Sequence, residues 1–476
     1  MHSLFISFVF YYCFVFSSLT YSQTQLLSLS DYLSQVRNGN EEWKSNNLAS
    51  IGALDRATES VSLLSPTLLA NAMYTRNERE TFTPSFQGDR TDTQHYKIGI
   101  SQLTTYGTKA EVGYLWGTTS IYGTNPTFVT LPTYRDASPY IEISQDLWRN
   151  GFGAEVRAIQ VQALSLARAT HYRETFRNKQ IIYDAEMAYW RLLLAQENLS
   201  IQSDSLKRSE KLRDWNAKQM KMQLSDRSDY LQTVASLESR NLDFEQAKND
   251  YASAARNFNT LRGMDSETVA ENLAVAEVAN FSLFIPPTKM TDREDVLEAK
   301  ELAQVARANA EIGHEKNLPK VELFGNAALN GRDPTYDTAF DESLTNNYPA
   351  YTIGLRVTAV LDWDNPRRAR RGHDYDKQSA QLEYSNKQFQ QARLWKDLNL
   401  KFVELQKRLK LAQSAENAQK EKVNYERTRH QKGRSTIYQV LQFEQDFANS
   451  QITRIRIQDQ LINVYTALKM FGEQSL

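Results

Sequence analysis

The chain has almost no cysteine, no excess charge of either sign, and no long apolar run after its first residues. A single cysteine, Cys13, occurs among 476 residues, and it lies in the apolar stretch from Leu4 to Phe16. Thr20, Tyr21 and Ser22 follow in the small-x-small pattern of a signal-peptidase site. The expectation is a secretory signal over residues 1–22 and a mature chain without cysteine. No Lys or Arg precedes the apolar stretch, so a retained membrane anchor is the competing reading. The formal charge of −1 argues against nucleic-acid binding, which draws its affinity from phosphate neutralisation. Beyond the N-terminus no run of about 18 apolar residues occurs, so no transmembrane helix is expected. Entry into a membrane would then require a closed β-barrel.

Catalytic patterns are missing as well. His95, His171, His314, His373 and His430 lack metal-ligand spacing, and no H-E-x-x-H, P-loop or G-x-S-x-G pattern is present. Carboxylates are plentiful, but on long helices they sit among Lys and Arg at salt-bridging steps, the pattern of a solvated helical surface. The chain reads as a non-enzyme with no cofactor and no metal.

What is present is a repeat. A helical run through Leu54, Ala57 and Val61 ends at Pro66, and another through Leu302, Ala306 and Ala310 ends at Pro319. Each proline opens a strand-like stretch. Far downstream the segment YLQTVASLE from Tyr230 parallels VLQFEQDFA from Val440, in helices that end near Gly263 and Gly472. The spacing predicts a first copy over residues 23–262, a linker over 263–295 and a second copy over 296–476.

Helical periodicity dominates from Phe152 to about Trp215, Asp229 to Leu261, Asp295 to Asn317, and Pro366 to about Gln431. A helix of about 60 residues spans on the order of 90 Å, a length that implies coiled-coil packing. Ile181, Ile182, Ala185, Ala188, Tyr189, Leu192, Leu193 and Ala195 recur at three- and four-residue steps.

The strand-like segments alternate. Tyr351, Ile353, Leu355, Val357 and Ala359 share one face, and Thr352, Gly354, Arg356 and Thr358 the other. Val321, Leu323, Ala327 and Leu329 oppose Lys320, Glu322, Asn326 and Asn330 likewise, with weaker versions over Thr67–Thr75 and Tyr140–Trp148. Lipid on one side and a water-filled lumen on the other would produce this pattern, as would an ordinary half-buried antiparallel strand. Length favours the barrel: the segments run about 9 to 11 residues, with Tyr74, Tyr140, Trp148, Tyr351 and Trp363 near their ends as membrane-interface aromatics. Polar stretches over 77–92 and 331–349 read as exposed loops. A further hairpin, Tyr96, Ile98 and Ile100 against Ala110, Val112, Tyr114 and Trp116, occurs in the first copy only. Four strands, or six with this hairpin, are too few to close a transmembrane barrel, which takes about eight or more. Three copies would supply twelve or eighteen.

Gly433 to Leu441, GRSTIYQVL, resembles the G-x-x-T-I-x-D-V-L motif of the TolC-type outer-membrane efflux protein family, and Ser144 to Trp148, SQDLW, is similar to its S-Q-P-L signature. The pre-strand prolines fit too, and the resemblance covers nearly all of the mature chain. It implies a homotrimer whose strands form one barrel in outer-membrane lipid. Its helices would continue that barrel as a hollow tube across the periplasm, to an adaptor protein and an inner-membrane pump. The implied function is a passive exit duct for efflux or type I secretion, with cargo chosen by the pump. The alternative from another class is a secreted coiled-coil structural or adhesin protein with a soluble β cap.

The resemblance also places a gate where helix pairs turn at the periplasmic tip. Two aspartates that ring the aperture in the best-known pattern correspond here to Gln439 and Gln442, which removes the carboxylate ring. Asp229 matches the family's aspartate in the first copy, its usual arginine partner position holds Ser435, and Arg434 lies one residue earlier. The candidates are thus Asp229, Arg434, Ser435, Gln439 and Gln442, with an Asp229–Arg434 lock as one expectation. Local capping is the other, since Thr436 and Gln439 have the form of a capping box and Asp229 would complement a helix N-terminus. Asn365-Pro366 similarly reads as a helix start, and Arg367, Arg368, Arg370 and Arg371 as lipid-headgroup contacts or a solvated face.

Overall fold

In the computed structural model, residues 26–273, 285, 287, 290–362 and 364–472 are described. The expected signal segment, 1–22, and Trp363 lie outside them. In chain order the elements are β1 (Leu26–Leu27), α1 (Leu29–Gly39), α2 (Glu41–Ala57), α3 (Glu59–Ser62), β2 (Thr67–Asn77), α4 (Pro84–Gln87), β3 (Arg90–Leu103), β4 (Thr108–Tyr122) and β5 (Thr133–Asp146). A 3-10 turn, Gly151–Gly153, leads into α5 (Ala154–Lys221) and α6 (Arg227–Leu261). There follow β6 (Asn272–Leu273), α7 (Glu294–Lys316), β7 (Lys320–Leu329), β8 (Gly331–Asp333), α8 (Tyr336–Ser343), β9 (Pro349–Thr358), α9 (Asp364–Gln431) and α10 (Ile437–Lys469). Helices α5 and α9 are each 68 residues long, and Pro66 and Pro319 directly precede β2 and β7. Among the described residues no helix is long and apolar enough to cross a membrane.

The chain forms two compact units, and each draws on both halves of the sequence. One comprises residues up to Glu41, Ile182–Pro286 and Lys401–Ala467; the other comprises Glu42–Ile181, Pro287–Leu400 and Leu468 onward.

The first unit is helical, with β1 and β6 paired in parallel. Helix α1 starts at Ser28, whose hydroxyl accepts from the Asp31 amide at 3.2 Å, a cap on one of the orphan N–H groups. Tyr32 from α1 stacks on Phe258 from α6 with centroids 3.9 Å apart, and both are fully buried with Tyr189, Leu461 and Ile462. Burial requires the phenol to find an acceptor. Its hydroxyl donates to the Phe258 carbonyl at 2.9 Å, and the dry site raises its pKa. The Arg262 guanidinium lies 5.0 Å from the Phe258 ring centroid and bonds both oxygens of Glu271, at 2.7 and 3.2 Å. Gly39 is fixed by close approach: a Cβ there would stand 2.2 Å from the Arg262 carbonyl. Charged contacts join the long helices. Arg454 of α10 reaches Glu197 of α5 at 2.7 Å and Glu416 of α9 at 2.5 Å, charge-assisted bonds stronger than neutral ones.

The second unit carries one antiparallel sheet in the order β2-β3-β4-β5-β7-β9, with β8 extending along β5. Buried amides tie the neighbouring helices: Asn46 donates to Asn178 at 3.0 Å, and Asn178 to Asn47 at 2.9 Å. Arg293 grips Asp295 with two bonds of 2.7 Å while its guanidinium lies 5.2 Å from the rings of both Phe176 and Phe471.

Several elements depart from the sequence reading. The hairpin β3–β4, whose place the sequence left open, lies within the sheet: β3 pairs with β2 over the full length of β2, and β4 pairs with β5. Its strands have 14 and 15 residues, longer than the expected 9 to 11. Strand β5 begins at Thr133 rather than Tyr140 because α8, hidden inside the expected loop 331–349, lies over that end of the sheet. There Arg135 stacks over Tyr336 and Thr118 bonds the Tyr336 hydroxyl at 2.8 Å, so the outward positions are polar and the alternation fades. Helix α9 starts at Asp364, with Asp362 accepting from the Asp364 and Asn365 amides, which puts Pro366 third rather than first. Arg370 donates to the Asn317 carbonyl at the end of α7, while Arg367, Arg368 and Arg371 are exposed.

The Tyr32–Phe258 stack is the centre of the first unit's core. Phe258→Ala should destabilise it by about 3–5 kcal/mol, read as a lower midpoint for loss of helical circular dichroism. Ala substitution at exposed Leu242 of the same helix should leave that midpoint nearly unchanged.

Candidate functional site

Two places combine chemistry with geometry: the faces of the sheet, and the turns α5–α6 and α9–α10. Cross-strand partners share a face, so the register assigns every strand residue. One face carries Leu68, Ala70, Ala72 and Tyr74 of β2, then Ile100, Ile98 and Tyr96 of β3. It continues through Val112, Tyr114 and Trp116 of β4, Ile141 and Ile143 of β5, and Leu323 and Ala327 of β7. It ends on Tyr351, Ile353, Leu355 and Val357 of β9. Most of these side chains are exposed, Ile353 by 82% and Leu68 by 67%, while Tyr114 and Trp116 are half-buried, with the Tyr114 ring 5.4 Å from that of Phe340 on α8. Tyr96 and Trp116 stack across β3 and β4 at 5.8 Å.

The opposite face is polar and already paired. Lys97 bonds Glu111 at 2.8 Å, Tyr140 donates to the same carboxylate at 2.9 Å, and Arg356 and Lys320 hold Glu322 at 3.3 and 3.1 Å. Tyr140 lies across two glycines, where a Cβ on Gly99 or Gly113 would come within 2.8 or 2.5 Å of its hydroxyl. Of the expected interface aromatics, Tyr74 and Tyr351 lie on the apolar face, Tyr140 on the polar one, and Trp148 is exposed two residues past the end of β5. The sequence reading had the hairpin aromatics Tyr96, Tyr114 and Trp116 in view without assigning them to this girdle, because the hairpin's place in the sheet was open.

The two helical turns are built alike, 210 positions apart. Gln223 and Gly433 both take the left-handed conformation, at φ 60° and 68°. The Leu224 amide reaches the Gln219 carbonyl and the Arg434 amide the Arg429 carbonyl, each at 2.9 Å, the long bond of a Schellman motif. Ser225 then donates to Asp229 at 3.4 Å, and Ser435 to Gln439 at 3.0 Å. The capping box at Thr436 is formed: the Gln439 amide donates to Thr436 Oγ1 at 3.3 Å, and the Thr436 amide to Gln439 Oε1 at 3.4 Å. Gln442 bonds Asp446 at 3.1 Å.

The expected Asp229–Arg434 lock is not made in the protomer. Asp229 is turned to Ser225 in the first turn of α6, where a carboxylate favours the helix dipole. Arg434 is exposed, and its carbonyl is taken by Arg429 at 3.0 Å, which also pairs with Glu426 at 3.3 Å. The group that senses Asp229 is His430, which no sequence signal singled out. It packs edge-on against Trp215 with centroids 4.7 Å apart, at a cavity of about 420 Å³ also lined by Arg208, Lys211, Arg427 and Glu444. Burial holds its pKa below the ordinary 6.5, against the attraction of Asp229 and Glu426. Among the described residues no cluster of His, Cys, Asp or Glu could hold a metal ion.

Comparison with solved structures decides the fold. The chain superposes on the outer-membrane channel CmeC of Campylobacter jejuni over 100% of its own length and 95% of that chain, with a TM-score of 0.65 and 16% identity. For VceC of Vibrio cholerae, an outer-membrane protein, the coverage is 93% and 96%, with a TM-score of 0.65 and 15% identity. The chain has the TolC-type outer-membrane channel fold. The open state of the Neisseria gonorrhoeae MtrE channel shares it, at 17% identity and a TM-score of 0.61 over 92% of this chain and 88% of that one. No family model and no curated protein matches by sequence. Within this channel fold the apolar strand face is the surface suited to lipid, and the polar face the one suited to water.

Two measurements test the turns. The protonated His430 is disfavoured only in the folded state, so the α9–α10 turn should be at full stability above about pH 6.5 and lose stability as pH falls below that value. Protection factors of the amides over residues 425–445, corrected for the intrinsic pH dependence of exchange, should therefore fall from neutral to acid pH, and His430→Phe should flatten that dependence. Separately, Gln223→Gly should stabilise the α5–α6 turn by roughly 1 kcal/mol, since glycine carries no Cβ penalty at positive φ, whereas Gly433→Gln should weaken α9–α10 by a similar amount, both read from exchange rates in the turn.

Proposed function

We propose that this protein belongs to the TolC-type outer-membrane efflux family, as the subunit of a homotrimeric, passive exit duct. The observation that carries the proposal is a sheet of six long strands, with short β8 continuing β7 along β5, that has one largely exposed apolar face, one paired polar face and, among the described residues, two unpaired edges. In lipid each open edge would leave backbone groups without partners, at several kcal/mol apiece, so copies must share one barrel.

The helices support self-association independently. On α9, Tyr375, Leu382 and Phe389 recur at steps of seven and are 65%, 70% and 67% exposed. Residues seven apart on a helix lie on one face, so these three form a bare apolar stripe that a partner helix could cover. Leu48 and Ile51 of α2 and Val161 and Leu164 of α5, in the same compact unit, are exposed apolar positions that a neighbour's α9 would cover.

In this reading residues 23–262 and 296–476 are two copies of one unit, joined by 263–295. The sheet lies in the outer membrane, the long helices continue as a tube in the periplasm, and the α5–α6 and α9–α10 turns form the far tip. There Asp229, Arg434, Ser435, Gln439 and Gln442 shape the aperture and meet a periplasmic adaptor and an inner-membrane pump. The pump supplies energy and selects cargo in efflux or type I secretion. The duct performs no chemistry and needs no cofactor.

The test is extraction and assembly. The mature protein should leave membranes only with detergent, migrate as a trimer and conduct ions after reconstitution. The double substitution Leu382→Asp and Phe389→Asp should raise the concentration at which trimers dissociate by at least about tenfold, about a hundredfold in the trimer–monomer constant and so about 2.7 kcal/mol per trimer. Release of a monomer without detergent would instead establish the soluble-cap structural protein.

A further inference from the structure

We propose that three copies close an eighteen-stranded barrel, with the β3–β4 hairpin in its wall and β9 of one copy paired to β2 of the next. This rests on the duct reading above and deepens it by fixing the seam between copies and the girth of the pore.

The topology carries the argument. Strand β2 joins the sheet only through β3, and β3 reaches β5 only through β4. Any ring that uses the β2 edge as a seam therefore includes the hairpin. To leave it out, β2 would have to give up eleven paired positions with β3 and pair afresh with β5, itself already paired to β4 from Thr133 to Gln145.

Side-chain chemistry agrees. The apolar face runs without interruption through Leu68, Ile100, Val112 and Ile141, which stand side by side on four successive strands. On the polar face Glu111 ties the hairpin to both sides of the turn it makes: Lys97 comes from β3, and Tyr140 comes from β5. A hairpin outside the wall would have neither a continuous lipid face nor a charge network bonded to a wall strand.

The edges fit one another. Six alternating strands leave β2 and β9 running in opposite directions, so a neighbour adds in antiparallel fashion with no parallel seam. The two edge strands have 11 and 10 residues, shorter than the hairpin between them, and both are exposed along nearly their whole length. Both also present the same apolar-out alternation, as the seam between two lipid-facing strands requires.

Six strands from each of three copies give eighteen, within the even-numbered range of membrane barrels and in the class that leaves an aqueous lumen. With strands about 4.8 Å apart and tilted about 40°, the wall would be roughly 36 Å across, against roughly 24 Å for twelve strands.

Disulfide trapping in the assembled full-length protein tests this, in a Cys13→Ser background. Paired cysteines at Leu68, Ala70 or Ala72 with Ile353, Leu355 or Val357 should include a register that oxidises to a covalent trimer on denaturing gels. Cysteines at Leu68 and Ile141 should not cross-link within a copy, because two intervening strands hold them roughly 14 Å apart, beyond disulfide reach. An internal Leu68–Ile141 or Leu68–Ile143 cross-link, with β2 on β5, would overturn the proposal in favour of twelve strands. So would a detergent-extracted trimer in which no β2–β9 pair cross-links, or a ladder closing at two or four copies. A detergent-free monomer would remove the duct reading itself. Counting strands in a cryo-electron microscopy section of the unsubstituted protein decides the same question without relying on the variants folding.

Discussion

Everything in this molecule follows from backbone hydrogen bonds that the sheet alone cannot complete. Strands β2 and β9 each satisfy one side of their backbone and leave the other side open. In water such edges are a hazard that proteins blunt with charge, proline or cover. Here they are long, regular and flanked by bare Ile353, Leu355 and Leu68. In the proposed duct another strand would complete these edges, and lipid would meet the apolar side.

The helices obey the same logic through side chains. Where the first unit buries its own core, around Tyr32, Tyr189 and Phe258, the sequence is dense in aromatic and branched residues and the fit is self-contained. Where α9 runs past the second unit, Tyr375, Leu382 and Phe389 face outward at heptad spacing. In the proposed assembly, the division between satisfied and unsatisfied apolar surface would separate what holds one chain together from what joins copies.

Much of this was legible in the sequence. The alternation from Tyr351 to Val357 set β9 and its apolar face, Pro66 and Pro319 marked the strand starts, and the α5 positions Ile181, Ile182, Ala185, Ala188, Tyr189, Leu192 and Leu193 are all buried. The match of Tyr230 with Val440 implies an offset of 210, the same offset that relates the two turns. What escaped were features set by partners distant in sequence. Nothing local tells that Tyr140 will lie over Gly99 and Gly113 and turn to the polar side. Helix α8 lay in a polar stretch whose cover over Tyr114 and Thr118 depends on tertiary packing. His430 looked like one scattered histidine because Trp215 is brought to it only by the pairing of α5 with α9.

The turns show how one geometry accommodates different chemistry. Asp229 and Gln439 occupy equivalent places, and each accepts from the serine four residues before it. The turn needs an acceptor oxygen at that position, not a charge. Gln439 supplies one, completes the capping box with Thr436, and leaves its copy of the tip uncharged there. The same holds outside the turn, where Gln442 finds Asp446. At the apex the first turn presents Met222 and Leu224 and the second Lys432 and Arg434, all exposed. Identical backbone bonds therefore carry an apolar apex in one half of the chain and a basic one in the other. The proposed threefold ring would alternate them around its rim, and the character of its aperture would then be set by side chains that the fold leaves free to vary.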